Sequence, residues 1–197
     1  MEKKATRERI LDSALTLFSE KGYDGVGVDL IAEKAELKGP SIYKHFKSKE
    51  EILDVLIEKV EGYYEENFGS ESHLGEIPFS VEELIDISLR RIQFTLHDDV
   101  IKKTRKILAM EQFRSPRIAK LSSRYSMDGI QGMYQKIFRK MMDDGIIKQD
   151  DPRMLAMEFA APVTLLIKMC DREPEREQEA MELIREFLKY FTMKIKK

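Results

Sequence analysis

Leu37-Lys38-Gly39-Pro40-Ser41-Ile42-Tyr43-Lys44-His45-Phe46-Lys47-Ser48-Lys49 carries four lysines, a histidine and a tyrosine, and no acidic residue. The rest of the chain mixes its charges, and over all 197 residues Asp+Glu (36) slightly exceed Lys+Arg (34). A faintly acidic chain that keeps one short, basic, aromatic-bearing segment is a candidate for docking on a polyanion. Pro40 disfavours helical geometry at the residue before it, so Gly39 is expected as an N-cap and Pro40 as the first residue of a short helix reaching about Phe46. The free N–H groups of that first turn would favour an anion. Ile42 and Phe46, four apart, should pack inward with Leu37 and Ile31. Tyr43, Lys44 and Lys47 are then left outside, with Ser41 and His45 near the leading edge, a face suited to the major groove. A merely solvated basic helix is the plainer alternative, and what precedes the segment decides against it.

Upstream, Ile10, Ala14, Leu17 and Phe18 form the buried stripe of a first helix that Thr6 is expected to cap and Gly22 to end. A short helix from Val28 to Lys34 follows, and the turn Glu36-Leu37-Lys38 leads into the basic helix. Two short helices joined by so short a turn form a helix-turn-helix pattern, over about residues 27–46. Downstream, Ser48-Lys49-Glu50-Glu51 reads as a capping box opening a helix to about Phe68. Gly69–Pro78 is the best linker, which places a DNA-binding domain at about 4–64 and a larger helical domain at 65–197.

Sparse Gly and Pro, with abundant Leu, Ile, Met, Glu and Lys, favour an all-α chain. Further helices are expected after Ser80, Asp98-Asp99, Ser115-Pro116, Asp151-Pro152 and Glu173-Pro174. No apolar run approaches the length of a membrane span, the start is polar, and Cys170 is alone, so a cytoplasmic, reduced protein without membrane attachment is expected. His45, His73 and His97 share no metal-ligand spacing, and Gly25-Val26-Gly27 lacks the rest of a dinucleotide loop. No metal, cofactor or catalytic residue is expected, and nothing argues for an enzyme.

The last two helices are the most apolar. Phe159, Val163 and Leu166 on one, with Ala180, Ile184, Phe187 and Phe191 on the other, fit either a central core or half of a four-helix dimer bundle, and periodicity leaves both open. Between residues 90 and 160, adaptable apolar side chains accumulate: Phe94, Met110, Phe113, Met127, Met133, Tyr134 and Phe138. They suit a pocket for a largely apolar molecule as well as an ordinary core. Pro162 inside an apolar helix predicts a kink and a free acceptor at Glu158. His97, Glu111 and Glu158 are among the polar groups that would orient a ligand.

Thr6-Arg7-Glu8-Arg9-Ile10-Leu11 through Phe18, then Lys21-Gly22-Tyr23, Ile31-Ala32, and Ser41 through Glu51 closely resemble the DNA-binding module of the TetR (tetracycline-repressor-like) family. The resemblance covers about residues 5–60. It implies a homodimer whose paired recognition helices enter successive major grooves of a palindromic operator, with an effector pocket in the larger domain. It carries DNA contact onto Lys38, Gly39, Pro40, Ser41, Tyr43, Lys44 and His45. Tyr43 and Lys49 take phosphate roles, Lys47 is a further phosphate grip, and Thr6 and Arg7 touch backbone from the first helix. Lys44 and Ser41 are the base readers. Two departures stand out. Gly27 replaces the family's hydroxyl-bearing cap, so only its backbone N–H is left to hold a phosphate, and Glu36 replaces the usual turn glycine. The function implied is a ligand-released transcriptional regulator, a repressor on this reading. A helix-turn-helix interaction module controlled by a protein partner is the alternative.

Overall fold

The computed structural model describes residues 5–68 and 77–197. Ten α-helices occur among them: α1 (Thr6–Lys21), α2 (Val28–Lys34), α3 (Gly39–Ile42), α4 (Lys49–Phe68), α5 (Val81–His97), α6 (Asp99–Glu111), α7 (Pro116–Ser123), α8 (Gly129–Asp143), α9 (Pro152–Arg172) and α10 (Glu177–Ile195). Most of the expected linker, including His73, lies outside the described residues.

Short acceptor side chains set several helix starts, as the capping pattern predicts. Ser48 Oγ accepts the Glu51 N–H at 3.2 Å, and Ser80 Oγ accepts the Glu83 N–H at 3.0 Å. Asp151 Oδ1 accepts from the N–H of Arg153 and of Met154, at 2.8 and 3.3 Å. Both serine boxes share one variation. The glutamate reaches back past the serine, Glu51 Oε2 accepting the Lys47 N–H at 2.5 Å and Glu83 Oε2 the Phe79 N–H at 2.6 Å. The expected cap Thr6 is itself helical; Ala5 precedes it without a side-chain hydrogen bond. A π-turn, Arg124–Asp128, stands between α7 and α8, and a 3₁₀ turn, Pro174–Arg176, precedes α10.

The chain divides into two compact units. In the first, Ile10, Ala14 and Phe18 of α1 meet Ile31 of α2, Ile42, Phe46 and Ile52 of α4 in one buried cluster. Residues 99–119 belong to this unit as well, so the structure differs from an expected boundary near residue 64. The cause is apolar: Ile107 of α6 is part of that cluster and Val100 packs against it. The second unit, residues 66–98 and 120–197, holds a buried aromatic group. Phe138, Phe159 and Phe191 lie within 5.1 to 5.7 Å of one another by ring centroid, and Tyr134 stands 4.5 Å from Phe159. No strand forms among the described residues; one antiparallel bridge joins Ile147 to Lys196.

Candidate nucleic-acid interface

The turn between α2 and α3 decides how the basic segment is presented. Leu37 N–H donates to Ala32 O at 2.8 Å and Glu36 N–H to Glu33 O at 2.9 Å, the paired bonds of a Schellman termination. That motif needs a left-handed residue at its apex, and Glu36 supplies it with φ 55°. Gly145 fills the same station after α8 with φ 70°, closed by Gly145 N–H to Met142 O and Ile146 N–H to Met141 O. Glu36 therefore carries a backbone cost that glycine would not. Its carboxylate points to Arg9 Nη2 at 3.6 Å, and the same guanidinium group donates to Ala35 O.

The basic helix is shorter than expected, and its start shifts by one residue. Lys38 is the N-cap, Gly39 and Pro40 are the first two helical residues, and regular helix ends at Ile42. One further turn follows, with His45 and Phe46 N–H groups both donating to Ile42 O at 2.8 and 3.0 Å. Ile42 and Phe46 are fully buried. Tyr43 (58% exposed), Lys44, His45 and Lys47 are exposed, while Ser41 is half-buried. Arg7, from the first turn of α1, sets its guanidinium 5.0 Å from the Phe46 ring centroid, which brings α1's first arginine to the back of this turn. Gly27 is the N-cap of α2, exposed, with nothing within 4 Å of where a Cβ would stand.

Lys49, expected to meet a phosphate, is engaged within its own unit. Its Nζ donates to Tyr23 O and Val26 O, both at 3.0 Å, and lies 4.1 Å from the Tyr23 ring centroid. The ammonium ties the start of α4 to the α1–α2 loop rather than projecting toward a phosphate. The Tyr23 hydroxyl is buried without a hydrogen bond of normal geometry. Burial, and after it the nearby Glu50 carboxylate, push its pKa up. Glu50 itself is held below the usual carboxylate range, first by its own backbone N–H and then by the Ser48 hydroxyl.

The expected pocket residues are divided between the two units. Met110, Glu111 and Phe113 belong to the first unit, where Phe113 is 91% exposed. Glu111 is 3% exposed and accepts the Tyr23 N–H at 3.0 Å, so it is structural there. Met127 is exposed on the π-turn. His97 and Glu158 face solvent, His97 Nε2 lying 2.9 Å from Glu177 Oε1 and Glu158 Oε2 accepting from Lys194 Nζ at 2.6 Å. Tyr134 and Phe138 are buried together in the second unit, with Met133 packed against that core and Phe94 and Pro162 half-buried. There Tyr134 Oη and Ser88 Oγ share a buried hydrogen bond at 3.3 Å, and Arg91 Nη1 lies 3.4 Å from Met133 Sδ. Neither Ser88 nor Arg91 was expected; Ser88 follows Leu84 by four on the apolar face of α5, which is the signal for it.

Of the expected dimer contacts, five are taken up inside the protomer, while Leu166 and Phe187 are only partly buried. Phe159, Val163, Ala180, Ile184 and Phe191 are buried in their own unit's core, and Leu166 and Phe187 pack against it. The strongest apolar stripes thus serve the monomer. The outward faces of α9 and α10 carry a second set: Met154, Met157 and Leu165 (65% exposed) with Leu183, Tyr190 and Met193 (69% exposed).

Residues 10–56 match the family described as bacterial regulatory proteins, tetR family. The biofilm operon icaADBC HTH-type negative transcriptional regulator IcaR of Staphylococcus epidermidis is 30% identical over 125 residues, covering 49% of this chain and 68% of that protein. The chain belongs to the tetR family. IcaR of Staphylococcus aureus (strain Newman) is 50% identical to this tetR-family protein over 48 residues, spanning 24% of this chain and 26% of that one. Two solved structures share the whole fold at TM-score 0.70. One is a TetR-family regulator from Mesorhizobium loti (20% identity, 98% of this chain, 97% of that). The other is SmeT, the repressor of the Stenotrophomonas maltophilia multidrug efflux pump SmeDEF (22%, 98% and 92%). Membership makes this protein a DNA-binding transcription regulator with an N-terminal helix-turn-helix and a C-terminal helical domain. No helix among its described residues is long and apolar enough to cross a membrane.

Proposed function

We propose that this tetR-family regulator is a repressor that binds a palindromic operator as a homodimer and leaves it when a small apolar molecule binds the C-terminal unit. One observation carries the reading: Tyr43, Lys44, His45 and Lys47 stand exposed on a turn anchored from behind by buried Ile42 and Phe46. Lys44 and Ser41 read bases, while Tyr43, Lys47, Arg7 and Thr6 grip the backbone, with Lys38, Gly39 and Pro40 at the groove-facing start of α3. The exposed Gly27 N–H is a further backbone contact. Repression is supported by the negative regulator IcaR, the relative with 68% of its length covered.

The second copy docks on the outward α9–α10 face, where Met154, Leu165, Leu183 and Met193 lie exposed. The Glu158–Lys194 pair, bridging α9 and α10 at 2.6 Å, neutralises charge on those two helices within one protomer. The effector site is placed around Phe94, Met133, Tyr134, Phe138 and Pro162, with the Ser88–Tyr134 pair as its polar handle. Solved structures of this fold include SmeT in complex with triclosan and FadR of Bacillus subtilis in complex with stearoyl-CoA, and these two compounds serve as first probes.

The test selects an operator from random duplexes with the full chain, then measures its affinity with and without each probe beside the protein's thermal midpoint. A higher midpoint with weaker operator binding supports release by a small molecule. Operator binding that no small molecule weakens, but a co-purifying protein does, favours control by a protein partner.

A further inference from the structure

Gly39 opens the recognition helix for a reason other than backbone freedom. A Cβ at that position would stand 2.6 Å from Asp29 Oδ1, so the carboxylate occupies the room a side chain would need. Asp29 lies in the first turn of α2, is exposed, and has no hydrogen bond or ion pair among the described residues. Its position in that first turn suits the helix dipole, but the dipole does not require an approach to the start of α3.

We infer that Asp29 is a specificity-determining residue that accepts a hydrogen bond from the N4 amino group of a cytosine in each operator half-site. The inference rests on the DNA-binding reading above. In helix-turn-helix proteins the N-terminal residues of the recognition helix contact base edges, and the Asp29 carboxylate abuts the first residue of α3. A carboxylate repels phosphates, so on this face it needs a donor. The major-groove edge of guanine offers two acceptors, and that of thymine an acceptor and a methyl group. Adenine sets its N7 acceptor beside its amino donor. Cytosine alone presents an amino donor without a neighbouring acceptor on the same base. Its paired guanine presents acceptors suited to a lysine such as Lys44, so one C·G pair satisfies both kinds of side chain.

The experiment selects binding sites from a random-sequence duplex library with the wild-type full chain, Asp29→Ala and Asp29→Asn. Single-base substitution of the wild-type site then gives a preference at each position. The wild-type profile is expected to contain a symmetric cytosine whose replacement weakens binding roughly 5- to 100-fold. Asp29→Ala should flatten that position to within about 3-fold while the other positions keep their preferences. Asp29→Asn should move it toward adenine, whose N6 and N7 match an amide. Should Asp29→Ala fold poorly, the near-isosteric Asp29→Asn decides alone. Unchanged profiles in the variants, or a selective wild-type profile without such a cytosine, overturn the assignment and leave DNA binding standing. If the wild-type chain enriches no duplex, the DNA-binding reading falls, and the assignment with it.

Discussion

The Glu111 carboxylate, at the end of α6, accepts the backbone N–H of Tyr23 at 3.0 Å. It does so almost out of water, and it fixes two neighbours. A Cβ on Gly22, whose φ is 72°, would stand 3.0 Å from Glu111 Oε1. Arg114 lies 3.8 Å from Glu111 and 3.3 Å from Asp24, closing the same corner. Glu111→Ala strands the Tyr23 N–H and is expected to destabilise the N-terminal unit by about 1–3 kcal/mol. Glu111→Gln keeps an acceptor and should lose less than half of that. Urea unfolding of both variants checks the order, and equal losses would refute the hydrogen bond's role.

Tyr23 also receives Lys49, through its carbonyl and its ring. If the Lys49 ammonium is a staple, Lys49→Gln lowers stability by about 1–2 kcal/mol, the range for hydrogen bonds to charged groups discounted for partial exposure. Operator affinity should fall with it, but the slope of log affinity against log salt should stay unchanged. Lys47→Ala should instead leave stability alone and reduce the slope by about 0.9, one phosphate contact. A slope change in Lys49→Gln would return that lysine to the phosphates.

Glu36 holds a left-handed backbone in the helix-turn-helix turn. Relief of that conformation is worth about 1 kcal/mol, against which stand glycine's greater freedom when unfolded and a surface ion pair with Arg9. Glu36 is 89% exposed in that pair, so its loss costs little. Glu36→Gly is expected to raise stability by about 0.5 kcal/mol, and Glu36→Val to lower it by more than 1 kcal/mol. Thermal and urea melts of the pair measure both signs.

Leu165 and Ile184 separate the proposed dimer face from the core. Leu165 is exposed on α9, whereas Ile184 is wholly buried. Leu165→Glu should leave the fold intact by circular dichroism yet yield monomers in sedimentation and weaken operator binding. Ile184→Asp should unfold the C-terminal unit, an unpaired buried charge costing several kcal/mol. A Leu165→Glu chain that stays dimeric would move the interface elsewhere.

The contrast between these two residues explains what the sequence could and could not tell. Capping serines, Asp151-Pro152 and the spacing of Ile42 and Phe46 act locally, so helix starts and the buried back of the DNA-reading turn were legible. The exposed α9–α10 stripe was not, because periodicity reports the strongest apolar stripe, and Ile184, Phe159 and Phe191 use that stripe for their own core. The outward stripe, Met154, Met157 and Leu165, is diluted by Arg153, Glu158 and Lys168. Glu111 had a legible signal that composition hid: it follows Ile101, Thr104 and Leu108 on the buried side of α6. A resemblance transfers a residue type and not the direction of its side chain, and the Lys49 Nζ lies on Tyr23 O and Val26 O.

Lys44 stands exposed on a turn pinned by Ile42 and Phe46, where it is proposed to read a base in the major groove. The deciding measurement is fluorescence anisotropy of the selected operator and of its single-base variants with wild type and Lys44→Ala. Lys44→Ala is expected to lose about 1–3 kcal/mol of binding, with preference erased at one symmetric base position and kept at the others. Equal affinity and an unchanged base profile in Lys44→Ala would contradict it.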